Sequence, residues 1–437
     1  MSEVLIRPSV LRGRLNVPIS KSAAHRVLIC SALSAWKPDG FPAHEAVSDD
    51  LRATASAVSA LLSADGEAAL DCGESGSTLR FLIPVAAALG IPTLFTGRGR
   101  LPSRPIGVYL DCLPKHGVRC RTEDKLPTEG KLPTEGKLPT EGNLPTESFL
   151  PLRIEGKLEP GRFLLPGNVS SQFVTGLLLA LPLLSGNSKI VLTTPLESYG
   201  YADMTVRIMK EFGVDAFRTE TGWSVPGKQK YVPNPGCRIE RDWSQAAFFL
   251  AAGMFGGPIE LRGLRADSPQ GDRAAEELFR HFGAGIHWKD GVLSVSAGTA
   301  SEKTDEFAID ASQIPDLVPV LAAAAALLPG KHTAITNAGR LRLKESDRLS
   351  AMAEGLSRLG GNVRETPDGL QIDGVGALKG GRAEGFGDHR VVMALSIAAL
   401  RSEGDVILTD AESVGKSYPD FFKDYNSLGG KAHVLGQ

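Results

Sequence analysis

The sequence has little thiol chemistry. Its five Cys (Cys30, Cys72, Cys112, Cys120 and Cys237) form no CxxC pair, and their number is odd. That argues against a disulfide framework or a zinc site and fits reduced thiols in a cytoplasm. Net charge is also small: 48 Lys and Arg stand against 50 Asp and Glu, giving −2. Such a chain has no global pull toward nucleic acid or membrane, so neither partner is expected. No apolar run is long enough to span a bilayer without interruption. The opening MSEVLIRPSVLRG lacks the charged-then-apolar pattern of a signal peptide. P-loop and Rossmann fingerprints are missing, as is any His/Cys cluster at metal spacing, so no cofactor and no metal is expected.

What is present is repetition. Residues 71–90, DCGESGSTLRFLIPVAAALG, open small and polar and continue as an Ala/Leu-rich helix too apolar for a surface. A Gly/Ser/Thr run at a helix start caps it, and it can also present free N–H groups to an anion. Arg80 adds a fixed positive charge. The same pattern begins at Ser20, Ser170, Asp242, Pro315 and Gly387. The last four starts are about 72 residues apart. Each copy is followed by a more amphipathic helix stopping at Gly, over 50–66, 105–117, 202–213, 271–283, 345–360 and 418–429. Six copies of one α/β unit are therefore expected. Before them, Val4–Ile6 and Arg14–Val17 read as two short strands. Residues 125–147, three copies of KLPTEG and then NLPTE, read as a low-complexity surface insertion.

Cations gather at helix starts. Lys21 and Arg26 oppose the dipole of the first helix, which suits either a solvated face or a bound anion. The loop 96–105 carries Arg98, Arg100 and Arg104 among Gly and Pro, as a solvated turn or an anion clamp. Ser170, Ser171 and Gln172 offer more hydrogen-bonding groups than one cap needs. Asp316 opens a nearly uncharged helix and could be a helix-start residue or a base. Arg340 to Arg348 holds four cations and two acids. It reads as a strand end through Lys344, then the first turn of a helix from Glu345 to Arg348. Unit four, from Asp242, reads as structural. Converging helix starts of this kind predict group transfer on a small polyanion, with Asp316 and Glu345 as acid/base candidates.

Nine stretches carry a family resemblance: PISKSAAHR (18–26), SDD (48–50), GESGSTLRFL (73–82), RPIG (104–107), VSSQF (169–173), IPD (314–316), LKESDR (343–348), GDHR (387–390) and GKSYPDFF (415–422). Together, and in this order, the chain resembles the 5-enolpyruvylshikimate-3-phosphate synthases, enolpyruvyl transferases of the shikimate pathway. The resemblance implies an α/β fold: a two-domain inside-out α/β barrel of six repeats, three per domain, with helices inside and sheets outside. The implied C-terminal domain is 1–19 plus 241–437, and the N-terminal domain is 20–240. It further implies a cytoplasmic monomer that joins phosphoenolpyruvate to shikimate 3-phosphate and releases phosphate. By residue-wise resemblance, Lys21, Ser22, Arg26, Ser170, Ser171, Gln172, Ser198, Tyr201, Asp316 and Lys344 would hold shikimate 3-phosphate. Lys21, Gly76, Arg104, Gln172, Arg348, Arg390 and Lys416 would hold phosphoenolpyruvate. Asp316 would be the base for the attacking hydroxyl, Glu345 the acid at the methylene carbon, and Lys21 would touch both substrates.

Two positions depart from the family pattern. Glu74 stands where Asn is often found, and Arg340 where many relatives carry an Asn. Gly76 is the small residue of members sensitive to glyphosate. The sister transferase acting on UDP-N-acetylglucosamine is disfavoured: 99–103 holds no Cys, and Lys21 is followed by Ser. RNA 3′-phosphate cyclase shares the folding unit, but no nucleotide motif supports it. A non-catalytic repeat scaffold would not need two acids among cations. An inactive, ligand-binding family member is the remaining non-enzyme reading.

Overall fold

The structure, a computed structural model, describes residues 2–35, 47–122, 149–298 and 305–435. The KLPTEG repeat lies outside the described residues. The chain divides into two compact units. The N-terminal unit takes its described residues from Ser22 and from Asp49 to Cys237. The C-terminal unit takes those up to Lys21, residues 47 and 48, and everything from Arg238 on.

In the N-terminal unit, helices α1 (Lys21–Leu33) and α2 (Asp49–Leu62) come first. Strand Ala68–Asp71 leads to α3 (Gly76–Leu89), strand Thr93–Thr96, α4 (Gly107–Cys112) and strands Val118–Thr122 and Leu152–Gly156. Next come Arg162–Leu165, α5 (Ser171–Ala180), Ser188–Leu192, α6 (Tyr199–Glu211), Phe217–Thr219 and Gly222–Val225. Both sets obey one rule. The two strands flanking the buried helix pair in parallel, and the last two form an antiparallel hairpin whose second strand joins them. Parallel pairing demands a crossover, which the buried helix supplies.

The C-terminal unit repeats this rule three times, with two strands taken from the chain start. Gly13–Asn16 pairs in parallel with Ile259–Arg262 across α7 (Trp243–Phe255). After α8 (Ala275–His281), the hairpin Ala284–Lys289 with Val292–Ala297 completes that sheet. Then Glu306–Asp310, α9 (Val318–Ala325), His332–Thr336, α10 (Arg348–Arg358), Asn362–Thr366 and Gly369–Asp373 form the next copy. The last copy is Gly381–Ala383, α11 (His389–Ala398), Val406–Leu408, α12 (Phe421–Ser427) and Lys431–Leu435, closed by Glu3–Arg7. Among the described residues there are five such four-stranded sheets, and the first copy contributes α1 and α2.

Within this unit α7, α9 and α11 pack on one another as the core, and the strands bury alternate residues against the helices. All eight residues of α9 and all ten of α11 are buried. A helix apolar on every side can lie only inside, so the sheets are outside. In the other unit α3 and α5 pack together. They touch closely at Gly176, where a Cβ would stand 2.3 Å from the Arg80 carbonyl oxygen. Pro84 within α3 has no N–H for that carbonyl. The Tyr109 hydroxyl lies 2.9 Å from it instead and shares its one proton between this carbonyl and that of Phe173, also at 2.9 Å.

The caps follow the sequence reading. Ser75, Ser170, Asp242 and Asp388 accept from helix N–H groups. Gly66, Gly117, Gly213, Gly283, Gly360 and Gly429 all have positive φ. One reading is corrected: residues 340–344 are not a strand end. Gly339–Leu343 is a 3-10 turn, because the Ala338 N–H bonds the Asp368 carbonyl and Leu341 and Arg340 are buried from it. Helix α10 therefore begins at Arg348, capped by Asp347, and Glu345 precedes it. Several second helices are also shorter than expected, since their ends tighten into 3-10 turns at 113–116 and 271–274.

Candidate functional site

The C-terminal unit gathers its acids around one cation. Arg348 is the first residue of α10 and is 2% exposed. Its Nε donates to Asp388 Oδ2 at 2.8 Å, Nη1 to Asp316 Oδ1 at 3.1 Å, and Nη2 to Glu345 Oε2 at 2.8 Å. Asp388 caps α11 by accepting from the Arg390 N–H at 2.9 Å, and also accepts from the Ser346 hydroxyl at 3.1 Å. Arg390 donates to Ser244 Oγ (2.6 Å), to the Asp316 carbonyl (2.9 Å) and to Asp316 Oδ2 (3.1 Å). Asp316 is thus held by two guanidinium groups. Lys344 closes the 3-10 turn before Glu345, and Lys416 is buried at the end of the turn Ala411–Lys416.

Asp242 stands beside this cluster in a structural role. Its Oδ1 caps α7 through the Gln245 N–H, and its Oδ2 accepts from the Lys21 N–H, the first of α1, at 3.0 Å. Burial raises the pKa of Asp242 against the pull of Arg390 and Lys21.

Charge coupling sets the ionisation of the cluster. Burial works to raise Asp316, but Arg390, Lys344 and Arg348 outweigh it and hold its carboxyl below the usual range, with Glu345 opposing. Lys344 is pushed down to about 8 by burial, with Arg348 and Arg340 adding repulsion against the pull of Asp316 and Glu345. Burial works against the Arg348 proton, yet Asp388, Glu345 and Asp316 raise its pKa above the ordinary value. His389 is held neutral by burial first, then by Lys21.

The N-terminal unit holds its buried Arg26 among neutral groups. Arg26, also 2% exposed, donates to Thr205 Oγ1 (2.7 Å), Thr175 Oγ1 (3.1 Å) and the carbonyls of Ser22 and Tyr201. Its guanidinium lies 5.0 Å from the Phe81 ring centre and 6.0 Å from that of Tyr201. None of these partners is a carboxylate, and burial pushes its pKa down to about 10.

Three residues N-terminal to Thr175 on α5, Gln172 accepts from Arg80 Nη1 at 2.8 Å and donates to Ser77 Oγ at 3.0 Å. That pairing fixes the orientation of its amide. Arg80 and Arg104 flank Gly76: a Cβ there would lie 2.8 Å from Arg80 Nη1 and 2.9 Å from Arg104 Cζ. A Cβ there would press on both guanidinium groups, the mobile ends of long side chains. Ser170 caps α5 by accepting from the Gln172 N–H, Ser171 is its buried first residue, and Ser198 precedes α6 with φ 55°.

The expected residues therefore fall into two groups. Asp316, Lys344, Glu345, Arg348 and Arg390 share one network, with Lys21 tied to it through Asp242. Ser22, Arg26 and Tyr201 meet in the other unit, as do Gly76, Arg104 and Gln172 around Arg80. Asp388, Asp242, Ser244, Thr175 and Thr205 were not anticipated as site residues, and Arg80 only as a local charge. All but Thr205 had a visible signal, a polar side chain on or capping a helix otherwise too apolar to carry one; Thr205 lies on the amphipathic α6, where a polar residue is ordinary. Among the described residues there is no His/Cys/Asp/Glu group that could hold a metal ion, and no helix is long and apolar enough to cross a membrane.

Repeated α/β units with internal helices, carrying buried cations, two acids and hydroxyl-bearing helix starts, define a group-transfer enzyme for small polyanions. The family model described as EPSP synthase (3-phosphoshikimate 1-carboxyvinyltransferase) matches residues 43–138 and 143–425. Curated relatives named 3-phosphoshikimate 1-carboxyvinyltransferase include those of Clostridium novyi, 39% identical over 98% of both chains, and Clostridium kluyveri, 41% identical over 99% of this chain and 98% of that one. An EPSP synthase structure from Acinetobacter baumannii shares the fold, with a TM-score of 0.74 at 23% identity and full coverage of both chains. The chain belongs to the EPSP synthase family.

Proposed function

We propose that the chain is a 3-phosphoshikimate 1-carboxyvinyltransferase. It moves the enolpyruvyl group of phosphoenolpyruvate to the 5-hydroxyl of shikimate 3-phosphate and releases phosphate through a tetrahedral ketal. The observation that carries this reading is the Arg348 network, which places two acids, Asp316 and Glu345, on one buried cation.

Asp316 takes the hydroxyl proton. Its low pKa keeps it ionised before substrate arrives. Substrate phosphate and carboxylate then neutralise Arg390, Lys344 and Arg348, and its basicity rises when it is needed. Glu345 protonates the methylene carbon and later removes a proton. Arg348, Arg390, Lys416, Lys21, Gly76, Arg104 and Gln172 hold phosphoenolpyruvate. Arg26, Ser22, Ser170, Ser171, Gln172, Ser198, Tyr201, Lys21 and Lys344 hold shikimate 3-phosphate, the cations and hydroxyls supplying donors for its oxygens. The cations stabilise charge on phosphate and carboxylate through both steps.

In this reading the two compact units are the family's two domains, and the enzyme works as a cytoplasmic monomer on free metabolites without nucleic acid. Glyphosate competes with phosphoenolpyruvate, and unchanged turnover in its excess would contradict that. The test is phosphate release from phosphoenolpyruvate with shikimate 3-phosphate, with UDP-N-acetylglucosamine, and with neither. Release only with shikimate 3-phosphate is expected. Release with the sugar nucleotide instead would overturn the assignment.

A further inference from the structure

The two residues of the proposed acid loop that matter most, Lys344 and Glu345, sit between the ends of one ion pair. Arg342 Nη1 donates to Asp347 Oδ2 at 2.8 Å. The other oxygen of Asp347 accepts from the Leu349 and Ser350 N–H groups and caps α10. The remaining donors of Arg342 reach out of the loop. Nη2 donates to the Thr366 carbonyl at 2.7 Å and Nε to the Pro367 carbonyl at 3.2 Å, while Glu365 Oε2 lies 3.8 Å from Nη1. Thr366 and Pro367 form the turn of the hairpin Asn362–Thr366 with Gly369–Asp373. That turn is itself fastened to the start of the same loop, since Asp368 accepts from the N–H groups of Asn337 and Ala338.

We propose that Arg342 is a positioning residue for Glu345. One planar fork locks the loop 343–346 to the hairpin turn at one end and to the cap of α10 at the other. This fixes where Glu345 stands relative to Arg348, its ion-pair partner at the first turn of that helix. Arg342 belongs to the charged run 340–348, and no substrate role absorbs it. Its donors face backbone carbonyls and a capping carboxylate, which suits alignment and not binding. A lysine could keep the charge but not the fork.

The inference rests on the acid role proposed for Glu345. The test uses R342M and R342K, each alone and combined with E345Q, in the full chain, with kcat and both KM values measured beside thermal melting. R342M should lower kcat about tenfold or more, with both KM values within about twofold, because small misplacements of a reacting group cost this much. R342K should fall between, and it carries the same test if R342M melts early. In the E345Q background neither change should slow the enzyme further. R342M and R342K at wild-type kcat, beside a slow E345Q, would overturn the clamp alone. So would an undiminished loss in the E345Q background. E345Q as fast as wild type would overturn the role of Glu345 and the clamp with it.

Discussion

Two buried arginines are equally hidden from solvent but live in opposite surroundings. Arg348 is held by Asp316, Glu345 and Asp388. Arg26 donates to two threonine hydroxyls and two carbonyls. A buried cation among carboxylates is already neutralised, so its network can support proton transfer without a ligand. A buried cation among neutral groups carries an uncompensated charge, and an anionic ligand relieves it. In the proposed reading, the contrast pairs chemistry with one unit and anion capture with the other.

The same substitution should therefore break the two sites differently. Arg348→Met leaves three carboxylates together and should cost about 3–5 kcal/mol of stability, read as a lowered urea midpoint. Arg26→Met removes a charge that no carboxylate balances, and Thr175 and Thr205, 3.1 Å apart, can pair with each other. Its stability should change by less than about 1 kcal/mol, while affinity for shikimate 3-phosphate falls roughly 10- to 100-fold, the worth of hydrogen bonds to a charged group. Equal stability losses in the two variants would erase the distinction.

A third change tests how Arg80 is supported beside Arg26. Tyr109→Phe removes the hydroxyl that answers the Arg80 carbonyl left bare by Pro84, and should cost about 1–3 kcal/mol. A Tm equal to wild type would contradict this.

The smallest effect belongs to a surface pair outside both clusters. His332 bonds Asp373 at 2.7 Å and Gln371 at 2.8 Å, and the Asp373 hydrogen bond raises its pKa above 6.5. Its contribution is complete below pH 6.5 and is lost as pH rises through the higher folded value. The side chains are 37% and 46% exposed, so the loss should be about 0.5 kcal/mol or less. His332→Gln should flatten the urea midpoint between pH 6 and 8, and an unchanged slope would contradict it.

Much of this organisation was legible because it is local. Polar caps such as Ser75 and Asp388, and glycines such as Gly213 and Gly360, mark helix ends through their own backbone needs. Burial of α9 followed from a helix with no polar face. What was not legible depends on distant partners. Nothing near Val4 or Leu15 states that these strands finish sheets begun some 250 to 400 residues away, as their pairings show. The alternation of residues 340–344 mimicked a strand, and only contact with the hairpin turn at Asp368 curls it into a 3-10 turn. Nothing local shows that the second oxygen of Asp242 serves Lys21, more than 200 residues earlier in the chain. The site residues named by resemblance carry the roles proposed above. The positioning groups around them, Asp388, Thr175 and Arg342, needed the structure.

The central claim is a division of labour between capture and proton transfer. Its most direct test is calorimetric titration of shikimate 3-phosphate into the wild type and Glu345→Gln, beside phosphate release by each. The account predicts that Glu345→Gln binds shikimate 3-phosphate as tightly as the wild type while its phosphate release falls roughly 10²- to 10⁴-fold. A variant that loses binding in step with turnover would contradict it.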